Sequence, residues 1–328
     1  MTAPKKSTLQ GLHYHSIDTI MYGMMNYMQW QLRHEVGSQA SLEAYLQEYA
    51  SWDRSSYFSI MPMEKLEIGG SVFSWESPRS SSFLENNRAR TLFFPASRKN
   101  SDRAPTLIIL HALMSATDLG YRRIAARMNH QGWNVLFPHL PFHYSRKPQH
   151  HANGALAITA DLIRTAETVR QAVQEIRQLM VWLQDLGSRR IGLLATSYGG
   201  WIASLLLALE PIDFAILLQP IINLGRATFE SPLARVMGSL LQANGITRKH
   251  LERHAHLTEP SHSLPLTSPK RITIIGGKYD LIAPPEHLKI FSSNWKAHYE
   301  EVHQGHFGYK AMQKALVIME QFLGSHSN

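Results

Sequence analysis

One stretch of the sequence, Ile191–Ala203, constrains the fold more than any other. It reads I-G-L-L-A-T-S-Y-G-G-W-I-A: an apolar run typical of a buried strand, a turn of small residues around Ser197, and then an apolar helix. Ala195 and Gly199 stand two residues to either side of Ser197, where bulky side chains would collide across a sharp turn. The pattern predicts a serine at the apex of a strand-to-helix turn. The N-terminus of the helix that follows favours negative charge at that point.

Two later segments place an acid and a histidine at the ends of strands. Residues 271–280 read R-I-T-I-I-G-G-K-Y-D, an apolar strand followed by two glycines and then Asp280. Residues 297–308 read A-H-Y-E-E-V-H-Q-G-H-F-G, an alternating strand followed by Gly305 and His306. Serine, then acid, then histidine is one of the chain orders in which hydrolytic triads occur, and it differs from the orders of chymotrypsin and subtilisin.

Another apolar strand ends in a histidine. Residues 106–115 read T-L-I-I-L-H-A-L-M-S, so this buried strand stops at His111 and Ala112. A long amphipathic helix is predicted from Val169 to Leu186, because apolar residues recur there every three to four positions. Strands and helices alternate along this part of the chain. The alternation predicts an α/β fold with a mostly parallel sheet covered on both faces.

Together these motifs resemble those of α/β-hydrolases with a serine nucleophile, and the likeness covers roughly residues 69–324. The turn around Ser197 matches the nucleophile elbow G-x-S-x-G, with Ala195 in place of the first glycine. Ala112 replaces the glycine that usually follows the strand-end histidine, and both replacements are small. Three further stretches resemble a poorly characterised esterase-like branch of this superfamily: H-A-L-M-S-A-T-D-L-G-Y-R-R, F-P-H-L-P-F-H-Y-S-R and D-L-I-R-T-A-E-T-V-R-Q-A-V.

The resemblance implies an α/β-hydrolase fold, with a mostly parallel central sheet flanked by helices and a helical cap insertion. The implied site residues are the catalytic Ser197, Asp280 and His306, the oxyanion-hole donors Leu113 and Tyr198, and the supporting residues His111 and Gly199. In such a site the histidine takes the proton of the serine hydroxyl, and the acid orients the imidazole. The oxyanion hole consists of two backbone N–H groups that stabilise the negative charge of the tetrahedral intermediate.

The pattern of the chain divides it into three parts. The predicted parts are an N-terminal helical extension (residues 1–68), the hydrolase core (69–220 and 269–328) and a helical cap insertion (221–268). In the cap, the regular alternation of strand and helix stops. Its apolar residues would either cover the serine or pack the cap onto the core. These apolar residues are Phe229, Leu233, Val236, Met237, Leu240 and Leu241.

Within this division, the spacing of apolar residues predicts individual elements. Helices are predicted over Ser41–Tyr49 and around Trp30–His34 in the extension. Strands are predicted over Ile68–Trp75 and Arg90–Phe94 at the start of the core. The role of the extension stays open between docking on a membrane, docking on a partner subunit and covering a sheet edge.

Composition narrows the classes of protein to consider. The chain has no cysteine, which excludes a disulfide framework and a thiol nucleophile. Its formal net charge is +8, but the basic residues are scattered, so a solvated basic surface is favoured over a nucleic-acid site. The Met-rich stretch Ile20–Trp30 is interrupted by Gly23 and Asn26, which makes it a poor signal peptide. We therefore expect a soluble, cytoplasmic protein, with no sequence support for peripheral membrane contact.

The remaining histidines raise the question of a metal. His250 and His254 have the i, i+4 spacing of zinc ligands and His256 is nearby, but no H-E-x-x-H carboxylate accompanies them. The sequence contains no glycine-rich phosphate loop, so neither a metal nor a cofactor is expected. His303 would point away from the site on its alternating strand. His139 and His143 would contact substrate, pack in the core or lie exposed, and packing or exposure is favoured.

Three functions are compatible with these motifs. The leading prediction is a serine hydrolase that cleaves a carboxylic ester of small or medium acyl length through an acyl-enzyme. An acyltransferase would use the same triad and pass the acyl group to an alcohol or amine. A catalytically inactive binding protein on the same fold is the alternative from another class. The predicted partner is a small-molecule acyl ester, and the oligomeric state is left open.

Overall fold

A nine-stranded sheet runs through the protein, whose computed structural model describes residues 6–97, 104–188 and 190–323. The strands are β1 (Glu67–Gly69), β2 (Val72–Glu76), β3 (Arg88–Phe94), β4 (Thr106–Leu110), β5 (Asn134–His139), β6 (Ile191–Thr196), β7 (Phe214–Leu218), β8 (Ile272–Gly277) and β9 (His298–Val302). Their order across the sheet is β1-β2-β3-β5-β4-β6-β7-β8-β9. The pairs from β1 to β5 are antiparallel, and those from β5 to β9 are parallel. The predicted α/β class with a mostly parallel sheet is confirmed.

Helices cover both faces of this sheet. They are α1 (Lys6–Gln31), α2 (Gln39–Glu48), α3 (Arg54–Tyr57), α4 (Leu119–His130), α5 (Leu162–Asp185), α6 (Tyr198–Leu207), α7 (Leu224–Phe229), α8 (Arg235–Ala243), α9 (Arg248–Thr258), α10 (Pro285–Trp295) and α11 (Lys310–Leu323). The buried apolar residues of α5, α6 and α10 belong to one hydrophobic cluster, and those of α4 and α11 belong to another. The two clusters lie on opposite faces of the sheet.

The central strands explain why the core has two halves. All five residues of β4 are buried, and successive side chains of a strand point to opposite faces. Ile108 and Leu110 accordingly join the cluster under α5 and α6, whereas Leu107 and Ile109 join the cluster under α4 and α11. Continuous apolar runs of this kind are typical of parallel strands that are covered on both sides.

Two predicted elements differ from the structure. The strand predicted over Ile68–Trp75 is two strands, because Gly70 has a φ of 63° and turns the chain into a hairpin between β1 and β2. The helix predicted around Trp30–His34 is instead the end of α1, a 26-residue helix that begins at Lys6 and ends at Gln31. Gly23 lies inside α1 without interrupting the helix, although it interrupts the Met-rich apolar stretch of the sequence.

The N-terminal helices pack against the segment predicted to form the cap. Asn26 of α1 donates from Nδ2 to the carbonyl of Pro232 at 2.9 Å, and its Oδ1 accepts from the N–H of Val236 at 2.9 Å. A third hydrophobic cluster joins Leu42 and Leu46 of α2 to residues of α8 such as Leu241. Helices α1 and α2 are therefore bound to residues 221–268 by both hydrogen bonds and apolar packing.

Candidate active site

Ser197 lies at the sharp turn between β6 and α6. Its φ of 52° and ψ of −108° are unusual for a residue with a side chain, and such strain persists where the surrounding structure holds it. The Ser197 N–H donates to the carbonyl of Leu218 at 2.8 Å, which fixes the turn to the end of β7. A Cβ at Gly199 would collide with the carbonyl oxygens of Leu110 and His111, so the close approach of α6 to β4 requires glycine there.

The predicted serine, histidine and acid come together at the carboxyl ends of three strands. Ser197 Oγ lies 2.8 Å from Nε2 of His306, and Nδ1 of His306 lies 2.8 Å from Oδ2 of Asp280. Asp280 is almost completely buried, and its Oδ1 accepts from the N–H groups of Ile282 at 2.8 Å and Ala283 at 2.9 Å. The carboxylate is thereby held on one side by backbone donors and directs its other oxygen to the imidazole.

The surroundings of His306 favour its protonated form. Burial of the ring disfavours the charge, but the negative charge and hydrogen bond of Asp280 and the negative charge of Asp18 outweigh it, so the pKa of His306 is raised above its ordinary value. These surroundings stabilise a positively charged imidazole ring whose Nε2 lies next to Oγ of Ser197. The arrangement supports proton transfer from a hydroxyl to Nε2.

The two residues predicted to form the oxyanion hole lie beside the serine. Leu113 follows the end of β4, Tyr198 begins α6, and both side chains are buried and line the same cavity as Ser197. The carbonyl of Leu113 lies 2.8 Å from Nε2 of His143, whose Nδ1 lies 2.8 Å from the carbonyl of Pro141. Burial lowers the pKa of His143 to about 4, so the neutral ring donates to one of these two carbonyls. His143 therefore packs in the core and contacts the backbone of the predicted oxyanion loop.

His111 also has a structural environment. Its ring is fully buried, its Nδ1 donates to the carbonyl of Ala112 at 3.0 Å, and its Nε2 accepts from the N–H of Leu140 at 3.2 Å. Burial and the neighbouring His143 lower the pKa of His111 well below its ordinary value. A neutral ring with this tautomer satisfies both contacts and ties the end of β4 to the chain that follows β5.

The structure adds two polar residues to the site that the sequence motifs do not include. Gln219, directly after β7, donates from Nε2 to Oδ2 of Asp280 and to the carbonyl of Gly305, the latter at 2.9 Å. Asp18 of α1 accepts from the N–H of His306 at 2.9 Å and from that of Phe307 at 3.1 Å. The position of Gln219 at a strand end and its φ of 47° are signals of a functional residue, but only the position is visible in the sequence.

A largely apolar cavity of about 490 Å³ opens beside Ser197 and His306. Its walls come from α1, α6, the loop after β4 and the segment 221–268. Apolar contributors include Met25, Trp201, Leu233, Met237, Ile282 and Phe307. Of the apolar cap residues singled out by the sequence, Leu233 and Met237 line this cavity, whereas Leu241 packs in the cluster shared with α2. The cavity has the size and lining of a site for an apolar small molecule.

The other histidines lie apart from this arrangement. His303 is exposed and lies 3.5 Å from the hydroxyl of Tyr279. The Nδ1 atom of His139 lies 2.7 Å from Oγ of Ser145, and burial lowers the pKa of His139 to about 4. His254 is buried among Tyr45, Tyr49 and Tyr57. His250 contacts Glu43 at 3.1 Å, and His256 lies 6.3 Å from His254 by ring centroids. Within residues 6–97, 104–188 and 190–323, no group of three or more histidine, aspartate or glutamate side chains is arranged to hold a metal ion.

The fold and site define a protein of the α/β-hydrolase fold. Solved structures with this fold superimpose on most of the chain. An esterase from Thermogutta terrifontis has a TM-score of 0.51 and 18% sequence identity, covering 75% of this chain and 92% of the esterase. The acylaminoacyl peptidase of Pyrococcus horikoshii has a TM-score of 0.53 and 13% identity, covering 80% of this chain and 42% of the peptidase. At these identities the likeness is one of fold.

The sequence comparisons give a more particular placement. Residues 84–230 match the family described as alpha/beta hydrolase domain containing 18. Two relatives from strains of Mycobacterium tuberculosis, both described as uncharacterised proteins, are 27% identical over 232 residues. The match covers 67% of this chain and 52% of each relative, so the chain spans about half the length of the curated relatives it matches. The predicted resemblance to a poorly characterised branch of α/β-hydrolases is confirmed. None of the described helices combines the length and apolar character that crossing a membrane requires.

Proposed function

We propose that this protein is a serine hydrolase that cleaves carboxylic esters through an acyl-enzyme. The observation that carries the proposal is the relay from Ser197 Oγ to His306 Nε2 and from His306 Nδ1 to Asp280 Oδ2, each at 2.8 Å, facing an apolar cavity. Nucleophile and base within hydrogen-bond distance, with the base oriented by a third group, are the requirements for activating a serine hydroxyl.

In the proposed reaction, Oγ of Ser197 attacks the ester carbonyl while Nε2 of His306 accepts the hydroxyl proton. The carbonyl oxygen becomes an oxyanion, which the backbone N–H groups of Leu113 and Tyr198 stabilise. The tetrahedral intermediate collapses with cleavage of the carbon–oxygen bond, and His306 gives its proton to the departing alcohol. Water, deprotonated by His306, then attacks the acyl-enzyme and releases the acid and the free serine. Asp280 stabilises the imidazolium in both halves.

The cavity supports an apolar acyl group as the part of the substrate that it holds. Its lining is mostly aliphatic, thioether and aromatic, with Met25 from α1 and Trp201 from α6, and polar side chains such as Gln29 contribute a smaller share. The esterase of Thermogutta terrifontis has been solved with propionate and with butyrate bound, and both structures have a TM-score of 0.50 to this chain. The cavity volume of about 490 Å³ favours acyl chains of small to medium length.

Labelling with a fluorophosphonate probe, followed by peptide mapping, tests the proposal. The probe should modify Ser197 in the folded protein, and Ser197→Ala and His306→Ala should both abolish labelling and ester cleavage while the proteins remain folded. Ser239→Ala is the matched control, because this exposed hydroxyl donates to the carbonyl of Arg235 within its own helix. Wild-type activity in Ser197→Ala would refute the mechanism. A folded protein that neither reacts with the probe nor cleaves esters would favour the inactive binding protein.

The same acyl-enzyme would also serve an acyltransferase, and one further measurement separates the two. Product analysis with an activated acyl ester in water, with and without added alcohols or amines, gives the partition of the acyl group between water and acceptor. Dominant release of the free acid supports the hydrolase. Dominant transfer of the acyl group to an acceptor at millimolar concentration would refute the hydrolase and support the acyltransferase.

A further inference from the structure

The carboxylate of Asp18 lies in the interior of the protein, directly behind the candidate catalytic histidine. Asp18 is 1% exposed, although it belongs to α1 and is 288 residues from His306 in the sequence. Its Oδ2 accepts from the N–H of His306 at 2.9 Å and from the hydroxyl of Tyr22 at 3.2 Å, and its Oδ1 accepts from the N–H of Phe307 at 3.1 Å. Both oxygens are thus used, and two of the three donors belong to the histidine loop.

The histidine loop is shaped to receive this carboxylate. A Cβ at Gly305 would collide with the carboxylate of Asp18, so the loop passes the acid with no room for a side chain. A buried carboxylate costs free energy unless it is hydrogen-bonded, and here both oxygens accept hydrogen bonds, which no neutral side chain with a single acceptor oxygen would satisfy. Besides accepting from the backbone of the loop, the carboxylate places a negative charge near the imidazole of His306.

We propose that Asp18 is a positioning residue for the triad. Its carboxylate holds the backbone of residues 305–307 so that Nε2 of His306 stays directed at Ser197, and its charge stabilises the imidazolium formed during acyl transfer. The inference rests on the proposed function of the triad. Asp18 would make α1 a part of the active site, and the same helix supplies Met25 and Gln29 to the cavity wall.

Asp18→Asn is the first variant to test, because it keeps the shape of the side chain, removes the charge and leaves one oxygen to accept from the loop, while its NH2 group replaces the other acceptor. The variant should lower kcat about 10- to 100-fold with little change in KM, since a small misplacement of a catalytic group has effects of this order. The charges that act on His306 are those of Asp280 and Asp18; Tyr22 contacts the Asp18 carboxylate, and Tyr198 and Tyr309 line the same cavity. Without the Asp18 charge the imidazolium is less favoured, so the pKa of His306 falls and the acid limb of kcat/KM moves to lower pH.

Two control variants separate this effect from loss of a structural contact. Asp53→Asn changes an acid that caps α3, where its Oδ1 accepts from the N–H of Ser56 at 2.7 Å, and it should leave kcat and the pH profile unchanged. Tyr22→Phe removes one donor to Asp18 but keeps its charge and both bonds to the loop, so it should retain kcat within about threefold. An unchanged pH profile in a folded Asp18→Asn protein would overturn the proposal.

A double-mutant cycle tests the contact from the other side and does not depend on Asp18→Asn folding. Gly305→Ala should push the carboxylate away and lower kcat as Asp18→Asn does. When Gly305→Ala is combined with Asp18→Ala, the added methyl group meets no carboxylate. Gly305→Ala should therefore lower kcat much less in the Asp18→Ala protein than in the wild type. Additive losses, or a folded Gly305→Ala protein with wild-type kcat and pH profile, would overturn the proposal.

A measurement that needs no turnover distinguishes failure of this inference from failure of the proposed function. The NMR titration of the His306 ring should give a lower pKa in Asp18→Asn than in the wild type, even if no ester is cleaved. If the His306 ring titrates at the same pH in both proteins and the wild type cleaves esters, the role of Asp18 is refuted and the hydrolase proposal stands. If the wild type cleaves no ester but Asp18→Asn lowers the pKa of His306 as expected, the hydrolase proposal is refuted and the electrostatic coupling of Asp18 to His306 stands.

Discussion

At the scale of single residues, the acid of the candidate triad is held by a network of amides. Gln219 donates to Asp280 and to the carbonyl of Gly305, and Gln304 donates from Nε2 to Oε1 of Gln219 at 2.6 Å. The loop that bears the acid and the loop that bears the histidine are therefore joined through one side chain. Loss of that side chain removes donors from two buried oxygens at once.

Gln219→Met tests this network, because methionine has a similar length and no donor. We expect kcat to fall about 10-fold or more, since Asp280 and the loop at Gly305 lose their orienting bonds. Unfolding free energy should fall by about 1–3 kcal/mol, as for other buried groups left without a partner. Steady-state kinetics and urea unfolding measure the two effects.

The matched control for this variant is Gln178→Met on α5. Gln178 accepts from the indole N–H of Trp75 at 2.9 Å and donates to the carbonyl of Met61 at 2.9 Å, so it is also a buried bridging amide. It should lose similar stability and keep its kcat. Equal kcat in the two variants would contradict the role given to Gln219.

At the scale of elements, the close packing of α6 on β4 sets the geometry of the serine turn. Gly199 lies on the first turn of α6, where any Cβ would meet the carbonyls of Leu110 and His111. The N–H of Tyr198 begins the same turn. The packing distance between these two elements therefore determines where the proposed oxyanion donor lies.

Gly199→Ala should separate the two elements and impair catalysis more than folding. We expect kcat to fall about 100-fold or more, because the serine and one oxyanion donor move together. Kinetics and thermal unfolding measure the outcome. The control is Gly23→Ala in α1, where a Cβ meets nothing within 4 Å and a helix interior gains about 0.5–1 kcal/mol from alanine. A fully active Gly199→Ala protein would contradict the close packing described above.

The elements of the fold differ in how far the sequence alone predicts them. The core strands and the order of Ser197, Asp280 and His306 are predictable because each motif is local, with period and turn residues visible in a short window. The full length of helix α1 is not predictable in this way, because Gly23 lowers the helix propensity and the bonds from α1 to the segment 221–268 are tertiary contacts. Asp18 is also missed, since its partner lies 288 residues away. Tertiary contacts of this kind leave no periodic signal.

At the scale of the whole molecule, several buried histidines make stability depend on pH. Burial and neighbouring charge lower the pKa of His254 to about 3, and burial lowers that of His143 to about 4. His111 shifts in the same direction. The ordinary value is 6.5, so below that pH the unfolded chain binds protons that the folded chain does not. The unfolding free energy from these groups therefore decreases as the pH falls from about 6.5 towards 4. His306 acts in the opposite direction, because its raised pKa favours the folded state at low pH.

The slope of stability against pH isolates one of these histidines. Urea unfolding at intervals between pH 7 and pH 5 should give an unfolding free energy that falls on acidification. In His254→Phe the slope should decrease by about 1 kcal/mol per pH unit at the acid end, because one fewer proton is taken up on unfolding. Phenylalanine keeps the packing against Tyr45, Tyr49 and Tyr57, and any constant loss of stability leaves the slope untouched. A slope identical to that of the wild type would mean that His254 is not held neutral in the aromatic cluster.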